Sequence, residues 1–227
     1  MFQPASISEA RELFRKNGPG GYFLAGGTDL VIAIKEKGLV PRYVVDLKKI
    51  PSLTGIREAS DGSLTIGALT TMREIETSSV IGRKYPFLAQ SAAEVGSIQI
   101  RNRATIGGNM ANATPSADVA PALLVLDAKL KISRSDGEKI VLLEEFFIGP
   151  GKTIMEPGDV LTEILIPTTP PNIFVPSART RLPPGTSMLS IERCCGVRSG
   201  AAVASTPIVV VPLADTALST DRWMRGR

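Results

Sequence analysis

The sequence of 227 residues contains no histidine and only two cysteines, and these two absences exclude several classes of enzyme. Without histidine, the chain cannot supply a Ser-His-Asp triad, a histidine-activated cysteine or an imidazole-ligated metal site. The two cysteines, Cys194 and Cys195, are adjacent, whereas redox pairs, zinc sites and iron–sulfur sites use spaced thiols. We therefore predict no metal site and no disulfide scaffold, and the low cysteine content fits a reducing compartment.

Long apolar runs are also absent from the sequence. A membrane-spanning helix needs about 20 consecutive apolar residues, and no run in this chain approaches that length. Residues 1–4 lead into a predicted polar helix, not into the basic and then apolar segments of a signal peptide. The sequence therefore predicts a soluble cytoplasmic protein without a membrane span.

Excess positive charge is confined to the C-terminal quarter. The net charge of the chain is +4, but residues 1–167 contain 19 Lys and Arg against 19 Asp and Glu, so the whole excess lies in residues 168–227. Aromatic residues make up only 5% of the chain, which leaves few side chains on which bases could stack. A neutral body with few aromatics argues against a nucleic-acid partner.

The glycine pair Gly26–Gly27 lies between a predicted strand and a predicted helix. The apolar run that ends at Ala25 predicts a buried strand, and the apolar run that begins at Leu30 predicts an amphipathic helix. Glycines let a ligand approach their N–H groups, and the start of the helix adds free N–H groups and the positive end of its dipole. Thr28 adds a hydroxyl donor, and we expect Asp29 to cap the helix. The pattern is typical of a phosphate-binding turn, but its spacing matches neither a Rossmann motif nor a P-loop and also suits a turn without a ligand.

Two units of secondary structure are predicted on either side of residue 55. In the first, a helix over residues 6–17 and a strand over residues 43–47 join the glycine turn in a parallel crossover, which places that turn at the carboxyl edge of a sheet. In the second, we expect a meander with helices on one side. Its predicted elements are a hairpin over 55–67, helices over 71–78, 86–96 and 119–127, and strands over 130–132, 140–142 and 160–166. Residues 98–118 show neither the apolar periodicity of a helix nor that of a strand, so we predict a long functional loop there.

A second glycine pair, Gly107–Gly108, lies inside that predicted loop. Thr105 and Asn109 flank it as short polar residues. Two such turns could hold one diphosphate from opposite sides with neutral N–H groups, since neither contains the phosphate-binding lysine of a P-loop.

Five motifs, taken in order, make the chain resemble a known family. They are Leu24-Ala25-Gly26-Gly27-Thr28-Asp29-Leu30, Gln99-Ile100-Arg101-Asn102, Thr105-Ile106-Gly107-Gly108-Asn109, Ala113-Thr114-Pro115-Ser116-Ala117-Asp118 and Val160-Leu161-Thr162-Glu163-Ile164. Together they resemble the FAD-binding (medium) subunit of the molybdenum hydroxylases, the family of carbon monoxide dehydrogenase medium chains and xanthine dehydrogenase FAD-binding subunits. The resemblance covers residues 1 to about 167 and implies an α+β fold of the PCMH (vanillyl-alcohol oxidase-like) type. It implies two FAD-binding subdomains, residues 1–55 and 56–167, with FAD between them.

The resemblance also implies which residues contact FAD. Residues 25–30 and 105–109 would hold the pyrophosphate, and the segment Ala111–Asn112 with Asp118 would contact the ribityl chain or the flavin. The pair Val160–Leu161 would pack near the flavin ring or the adenine. The full set of predicted cofactor-binding residues is Leu24, Ala25, Gly26, Gly27, Thr28, Asp29, Leu30, Ala104, Thr105, Ile106, Gly107, Gly108, Asn109, Ala111, Asn112, Asp118, Val160 and Leu161. For Asp118, capping of the following helix is an equal alternative.

By the same resemblance, the chain is an electron-transferring subunit with no catalytic side chain of its own. It would take electrons from an iron–sulfur subunit, which receives them from a molybdenum-cofactor subunit, and pass them to an external acceptor such as NAD or a quinone. FAD brings its own redox chemistry, so the absence of histidine is no obstacle. Arg101 and Arg103 are expected to face a partner subunit, with a solvated pair in a loop as the alternative.

Residues 168–227 depart from the family pattern, which in the family continues into a C-terminal domain. This segment holds seven arginines, no lysine and 7 of the 17 prolines. We interpret it as a divergent Pro/Arg-rich tail in place of that domain, arising from an altered reading frame or a replaced terminus. Two alternative functions follow: a degenerate structural or assembly subunit that holds FAD weakly, and a self-sufficient flavin oxidoreductase. The second ranks last because nothing in the sequence supplies an acid or base for a substrate.

Overall fold

A computed structural model describes residues 1–168 of the chain. Its fold contains both a parallel and an antiparallel β-sheet. A parallel pair of strands lies in the N-terminal part, and a five-stranded antiparallel sheet lies in the rest. The predicted α+β class is therefore confirmed. The predicted tail over residues 168–227 lies outside the described residues, apart from Thr168. Within residues 1–168, no helix is both long enough and apolar enough to cross a membrane.

The N-terminal part is built as the sequence predicts. Its elements are α1 (Ile7–Asn17), β1 (Gly21–Leu24), α2 (Leu30–Glu36) and β2 (Tyr43–Asp46), followed by single turns of 3-10 helix at Leu47–Lys49 and Pro51–Leu53. Ser6 caps α1 by accepting a hydrogen bond from the Glu9 N–H at 3.1 Å, and Gly18 at φ +68° ends the helix. Strands β1 and β2 pair in parallel with Leu24 opposite Asp46. The parallel crossover is thus confirmed, and the glycine turn that follows β1 lies at the carboxyl edge of this pair.

The second part of the chain mixes short strands with short helices. Its strands are β3 (Ile56–Glu58), β4 (Leu64–Gly67), β5 (Lys129–Arg134), β6 (Gly137–Leu142), β7 (Phe147–Gly149), β8 (Lys152–Thr153) and β9 (Val160–Ile166). Its helices are α3 (Met72–Thr77), α4 (Ser79–Lys84), α5 (Pro86–Ala93), α6 (Ile98–Arg101), α7 (Ile106–Asn112), α8 (Val119–Val125) and α9 (Leu143–Phe146). The predicted hairpin β3–β4 and the capping box at the start of α3 are confirmed.

Strand β9 lies at the centre of the five-stranded sheet. The strand order is β3-β4-β9-β5-β6, and every neighbouring pair is antiparallel. The expected meander is therefore wrong, because β9, the last strand within residues 1–168, inserts between β4 and β5. Five of the seven residues of β9 are buried, and a strand with so little polar surface is best placed inside a sheet, where both of its edges are paired.

Two hydrophobic cores hold the elements together. The main core packs the five-stranded sheet against α3, α5, α7 and α8, with Met72, Leu123 and Ile164 fully buried. The smaller core joins α1 and β2 to the 3-10 turns, and it also takes in Leu69 and Val160 from the second part. The two parts of the chain therefore share a packed contact, and the subdomain boundary near residue 55 stays a prediction.

Residues 98–118 are not the single loop that the sequence predicts, because they contain α6 and α7. Thr105 caps α7 by accepting a hydrogen bond from the Gly108 N–H at 3.2 Å. The second glycine pair therefore lies in the first turn of a helix. Glycine is a poor helix former, so the sequence pattern conceals this helix. Helix α4 is a further element that the pattern does not predict, and its cap is Ser78, whose hydroxyl accepts from the Ile81 N–H at 3.3 Å.

Candidate functional site

A cleft of about 980 Å³ lies between the first glycine turn, α7 and the start of β9. This volume is at the upper end of the range of about 300–1,000 Å³ that is usual for small-molecule sites. The predicted cofactor-binding residues that line it are Ala25, Gly26, Gly27, Thr28, Asp29, Leu30, Ala104, Thr105, Gly107, Gly108, Asn109, Ala111, Asn112, Val160 and Leu161. The structure thus brings together residues from three distant segments of the chain.

Three predicted residues, Leu24, Ile106 and Asp118, lie outside the walls of the cleft. Leu24 is the last residue of β1. Ile106 is fully buried in the main core, because it is the first residue of α7 and anchors that helix on the sheet. These three residues are therefore not part of the cleft wall.

The N–H groups of the first glycine turn are free to bind a ligand. Among residues 1–168, none of the N–H groups of residues 26–29 donates a hydrogen bond to another residue. Gly27 adopts φ +82°, a left-handed conformation that costs other residues about 1 kcal/mol or more. Gly26 has no room for a side chain, since an added Cβ would overlap the backbone oxygen of Arg103. The two glycines thus meet different needs, and the turn carries neutral donors without protein partners on residues of the cleft wall.

Asp29 does not cap α2, so this expectation is wrong. Its backbone is already helical, with φ −96° and ψ −44°, and its carboxylate accepts no capping hydrogen bond, whereas a capping residue needs an extended backbone. Helical hydrogen bonding begins earlier, with the Val31 N–H donating to the Gly27 oxygen at 3.0 Å. The Thr28 hydroxyl donates to the Asp29 carboxylate at 3.4 Å. Thr28 and Asp29 both line the cleft.

The second glycine pair is arranged differently from the first. The Gly107 N–H donates to the Ala68 oxygen at 2.8 Å, and the Gly108 N–H donates to the Thr105 hydroxyl at 3.2 Å. An added Cβ on Gly107 would lie 2.6 Å from the Ala68 Cβ, much closer than the usual carbon–carbon contact of about 3.5–4.0 Å. Gly107 is therefore required by the packing of α7 on the end of β4. Both N–H groups of this pair already have partners within residues 1–168, and the contact of residues 105–109 with a diphosphate stays a prediction.

Asn109 carries an unused acceptor at the cleft. Its side-chain oxygen is buried and has no hydrogen-bond partner among residues 1–168, which costs about 1–3 kcal/mol if nothing satisfies it. Nearby, the Asn112 side-chain amide donates to the Thr114 hydroxyl at 2.7 Å. A hydroxyl or N–H group of a bound ligand would satisfy the Asn109 oxygen.

Several cleft residues carry no sequence motif and were not predicted. Tyr22, Ile32, Leu39 and Met155 give the cleft an apolar wall. In the sequence these residues indicate strands and helices but not a binding site, and only the fold shows that they line the cleft. The apolar wall suits a planar ring system.

Asp159 and Lys37 are the charged residues of the cleft wall that the sequence did not predict, and Asp159 is the buried one. Asp159 forms an ion pair with Arg134 Nε at 3.1 Å and accepts a hydrogen bond from the Glu156 N–H at 2.9 Å. In the sequence, the one sign that Asp159 belongs to the cleft is its position directly before the predicted pair Val160–Leu161. Because Arg134 balances its charge, Asp159 adds little net negative charge to the cleft.

Asp118 does not cap α8, so this alternative is also wrong. Its backbone is helical and its carboxylate makes no capping bond. Partial burial raises the pKa of the Asp118 carboxyl above its ordinary value, and the charge of Glu94 raises it further. The charged form of Asp118 is therefore less favourable in the folded chain than in a fully solvated aspartate.

Arg101 is a structural residue, and both expectations for it are wrong. Its side chain is buried, lies 2.9 Å from the Glu76 carboxylate and donates to the Gly96 oxygen at 3.0 Å. It therefore ties α6 to α3 and faces neither solvent nor a partner. Arg103 is exposed, so its predicted contact with a partner subunit stays a prediction.

The donor set of the cleft fits a flavin dinucleotide. Free neutral N–H groups suit a diphosphate, a buried acceptor suits the hydroxyl groups of a sugar chain, and the apolar wall suits aromatic rings. Within the described part of the chain, no group of three His, Cys, Asp or Glu side chains is placed to hold a metal ion.

Comparison with known proteins gives consistent matches in sequence. Residues 1–169 match the family described as "FAD binding domain in molybdopterin dehydrogenase". The xanthine dehydrogenase FAD-binding subunit of Escherichia coli O157:H7 is 38% identical over 166 residues, which are 73% of this chain and 56% of that protein. The carbon monoxide dehydrogenase medium chain of Afipia carboxidovorans is 35% identical over 168 residues, which are 74% of this chain and 58% of that protein.

Solved structures agree with these sequence matches. A chain of the reconstituted CO dehydrogenase from Oligotropha carboxidovorans superposes with a TM-score of 0.71 at 35% sequence identity, covering 74% of this chain and 59% of that chain. The chain thus spans a little more than half the length of the curated relatives it matches.

Proposed function

The chain belongs to the family of FAD-binding domains of molybdopterin dehydrogenases, and on this premise we propose that it holds FAD in the cleft and transfers electrons through it. The observation that carries the proposal is the set of free N–H groups of residues 26–29 in the cleft wall. The diphosphate is the anionic part of FAD, and neutral backbone donors bind phosphate oxygens well.

The proposed contacts follow the geometry of the cleft. The N–H groups of the first glycine turn would hold the diphosphate, and the Thr28 hydroxyl would exchange its bond to the Asp29 carboxylate for one to a phosphate oxygen. Asn109 would accept a hydrogen bond from the ligand. Val160 and Leu161, at the start of β9, would pack against a ring. The two proposed FAD-binding subdomains, residues 1–55 and 56–167, would then face each other across the cofactor.

Bound FAD supplies the redox chemistry, since the flavin exchanges one or two electrons. The chain's own residues would bind and orient it and would keep water from one side of the ring. The charged residues that line the cleft are Asp29, Lys37 and Asp159, and the carboxylate of Asp159 is already paired with Arg134.

We further propose that the chain acts within a larger cytoplasmic oxidoreductase complex. Its relatives are named an FAD-binding subunit and a medium chain, and these names describe parts of multi-subunit enzymes. Electrons would reach the FAD from an iron–sulfur subunit that is fed by a molybdenum-cofactor subunit, and they would leave to an acceptor such as NAD or a quinone.

Reconstitution tests this proposal directly. The full 227-residue chain is loaded with FAD, and the fall in visible flavin absorbance is followed after adding the reduced iron–sulfur and molybdenum subunits, with the same subunits and free FAD as the control. We expect faster reduction of the chain-bound flavin than of free FAD. A chain that binds FAD but is not reduced by its partners would contradict electron transfer, and a chain that assembles with them without FAD would favour a structural or assembly role.

A further inference from the structure

Lys48 and Asp46 form an ion pair beside the first glycine turn. The Lys48 Nζ lies 2.6 Å from Asp46 Oδ1 and donates to the backbone oxygen of Ala25 at 3.4 Å. The Asp46 carboxylate also accepts the Lys48 N–H at 3.1 Å, and its side chain is only 7% exposed. Asp46 ends β2, opposite the end of β1. A buried carboxylate therefore pairs with the ammonium of Lys48, whose side chain is 36% exposed, and keeps it near the first carbonyl of the turn.

The orientation of the Ala25–Gly26 peptide follows from this contact. No peptide bond among the described residues is cis, so the C=O and N–H of this peptide point in opposite directions. With the Ala25 oxygen directed at Lys48, the Gly26 N–H points away from Lys48. That N–H belongs to a residue of the cleft wall and donates to no residue among those described. A flipped peptide would lose the Lys48 contact and turn a carbonyl oxygen, in place of the N–H group, toward the ligand.

We propose that Lys48 is a positioning residue for the diphosphate of FAD, acting through the Ala25–Gly26 peptide. The inference rests on the proposed function. Lys48 is not among the residues that line the cleft, and Asp46 balances its charge, so the pair adds no net charge that would attract an anion. Its effect is to keep the Gly26 N–H directed at the cleft.

Substitution of Lys48 tests this role. Its neighbour Lys49 is the matched control, since both lysines are exposed but only Lys48 of the two forms an ion pair and a side-chain hydrogen bond within residues 1–168. The dissociation constants of FAD and of riboflavin, which lacks phosphate, are measured on the full chain for wild type, Lys48→Met, Lys48→Arg and Lys49→Met. We expect Lys48→Met to weaken FAD binding about tenfold, because loss of the Gly26 N–H bond to the charged diphosphate has an effect of about this size. Riboflavin binding should be unchanged. Lys49→Met should match wild type for both ligands, and Lys48→Arg should restore most of the FAD affinity.

Two results would overturn the role of Lys48. One is equal FAD affinity in Lys48→Met and wild type, and the other is an equal loss for FAD and riboflavin, which would show only general damage to the fold. A wild-type chain that binds no FAD would instead contradict the proposed function. In that case the NMR amide resonance of Gly26 in the ligand-free chain still tests the peptide orientation. It should shift in Lys48→Met but not in Lys49→Met. An unshifted Gly26 resonance in Lys48→Met overturns the inference.

Discussion

Replacing Gly107 with alanine should destabilise the chain even when no ligand is present. The added Cβ would lie 2.6 Å from the Ala68 Cβ and 2.7 Å from the Ala68 oxygen, about 1 Å inside normal contact distance. One of these atoms belongs to the backbone at the end of β4, so α7 as a whole must shift to make room. The same glycine donates its N–H to the Ala68 oxygen at 2.8 Å, and the shift would weaken that bond too.

The size of the effect follows from two opposing contributions. Overpacking of a tight interior contact costs typically about 1–3 kcal/mol, and the backbone contact places Gly107→Ala near the top of this range. Alanine is favoured over glycine within a helix by about 1 kcal/mol. The net loss of unfolding free energy should therefore be about 2 kcal/mol, which corresponds to a fall in the melting temperature of about 4–8 °C for a chain of this size.

Urea unfolding of the ligand-free chain, followed by circular dichroism, measures this loss. Gly82→Ala is the matched control, because Gly82 lies within α4 and an added Cβ there meets no atom within 4 Å. That variant should gain about 0.5–1 kcal/mol. If Gly107→Ala unfolds with the same free energy as wild type and loses only FAD affinity, then Gly107 serves the ligand and the packing explanation is wrong.

Three further substitutions test other parts of the structure by thermal unfolding. Thr71→Ala should cost about 1 kcal/mol, because the Thr71 hydroxyl accepts the Glu74 N–H at 3.2 Å; an unchanged midpoint would show that the capping box is not needed. Arg101→Met should lower the midpoint by several degrees, because the Glu76 carboxylate loses a donor at 2.9 Å, whereas an exposed partner-facing arginine would leave it unchanged. Because burial raises the pKa of Asp118, its charge opposes folding at neutral pH, and this cost disappears below the ordinary pKa of aspartate. Asp118→Asn should therefore stabilise the chain at neutral pH but not in strongly acidic buffer, and an equal gain at both would contradict the burial explanation.

Features that depend on neighbouring residues in the sequence were predictable. The glycine turn after β1, the parallel crossover and the capping box at Thr71 all follow from local patterns, and the structure confirms each of them. Local propensity also predicted β9, because its apolar alternation is strong. The five family motifs contain about half of the residues that line the cleft.

Features that depend on distant residues were not predictable in the same way. The position of β9 between β4 and β5 depends on pairing across the whole second part. The reason for Gly107 depends on Ala68, which approaches it only in the folded chain, and the burial of Arg101 depends on Glu76. Likewise, the sequence shows two similar glycine pairs, and only the hydrogen bonds reveal that the first has free N–H groups while the second does not.

The claim that the first glycine turn holds FAD is tested most directly by calorimetric titration of FAD into the ligand-free full chain. Gly27→Ala is compared with Gly137→Ala, since both glycines have positive φ, at +82° and +128°, but Gly137 lies in the β5–β6 hairpin and is not among the residues that line the cleft. We predict that wild type and Gly137→Ala each bind one FAD with equal affinity and that Gly27→Ala binds it at least about tenfold more weakly, the scale of one lost charge-assisted hydrogen bond. Equal FAD affinity in Gly27→Ala and wild type, or no binding by wild type, would contradict the account.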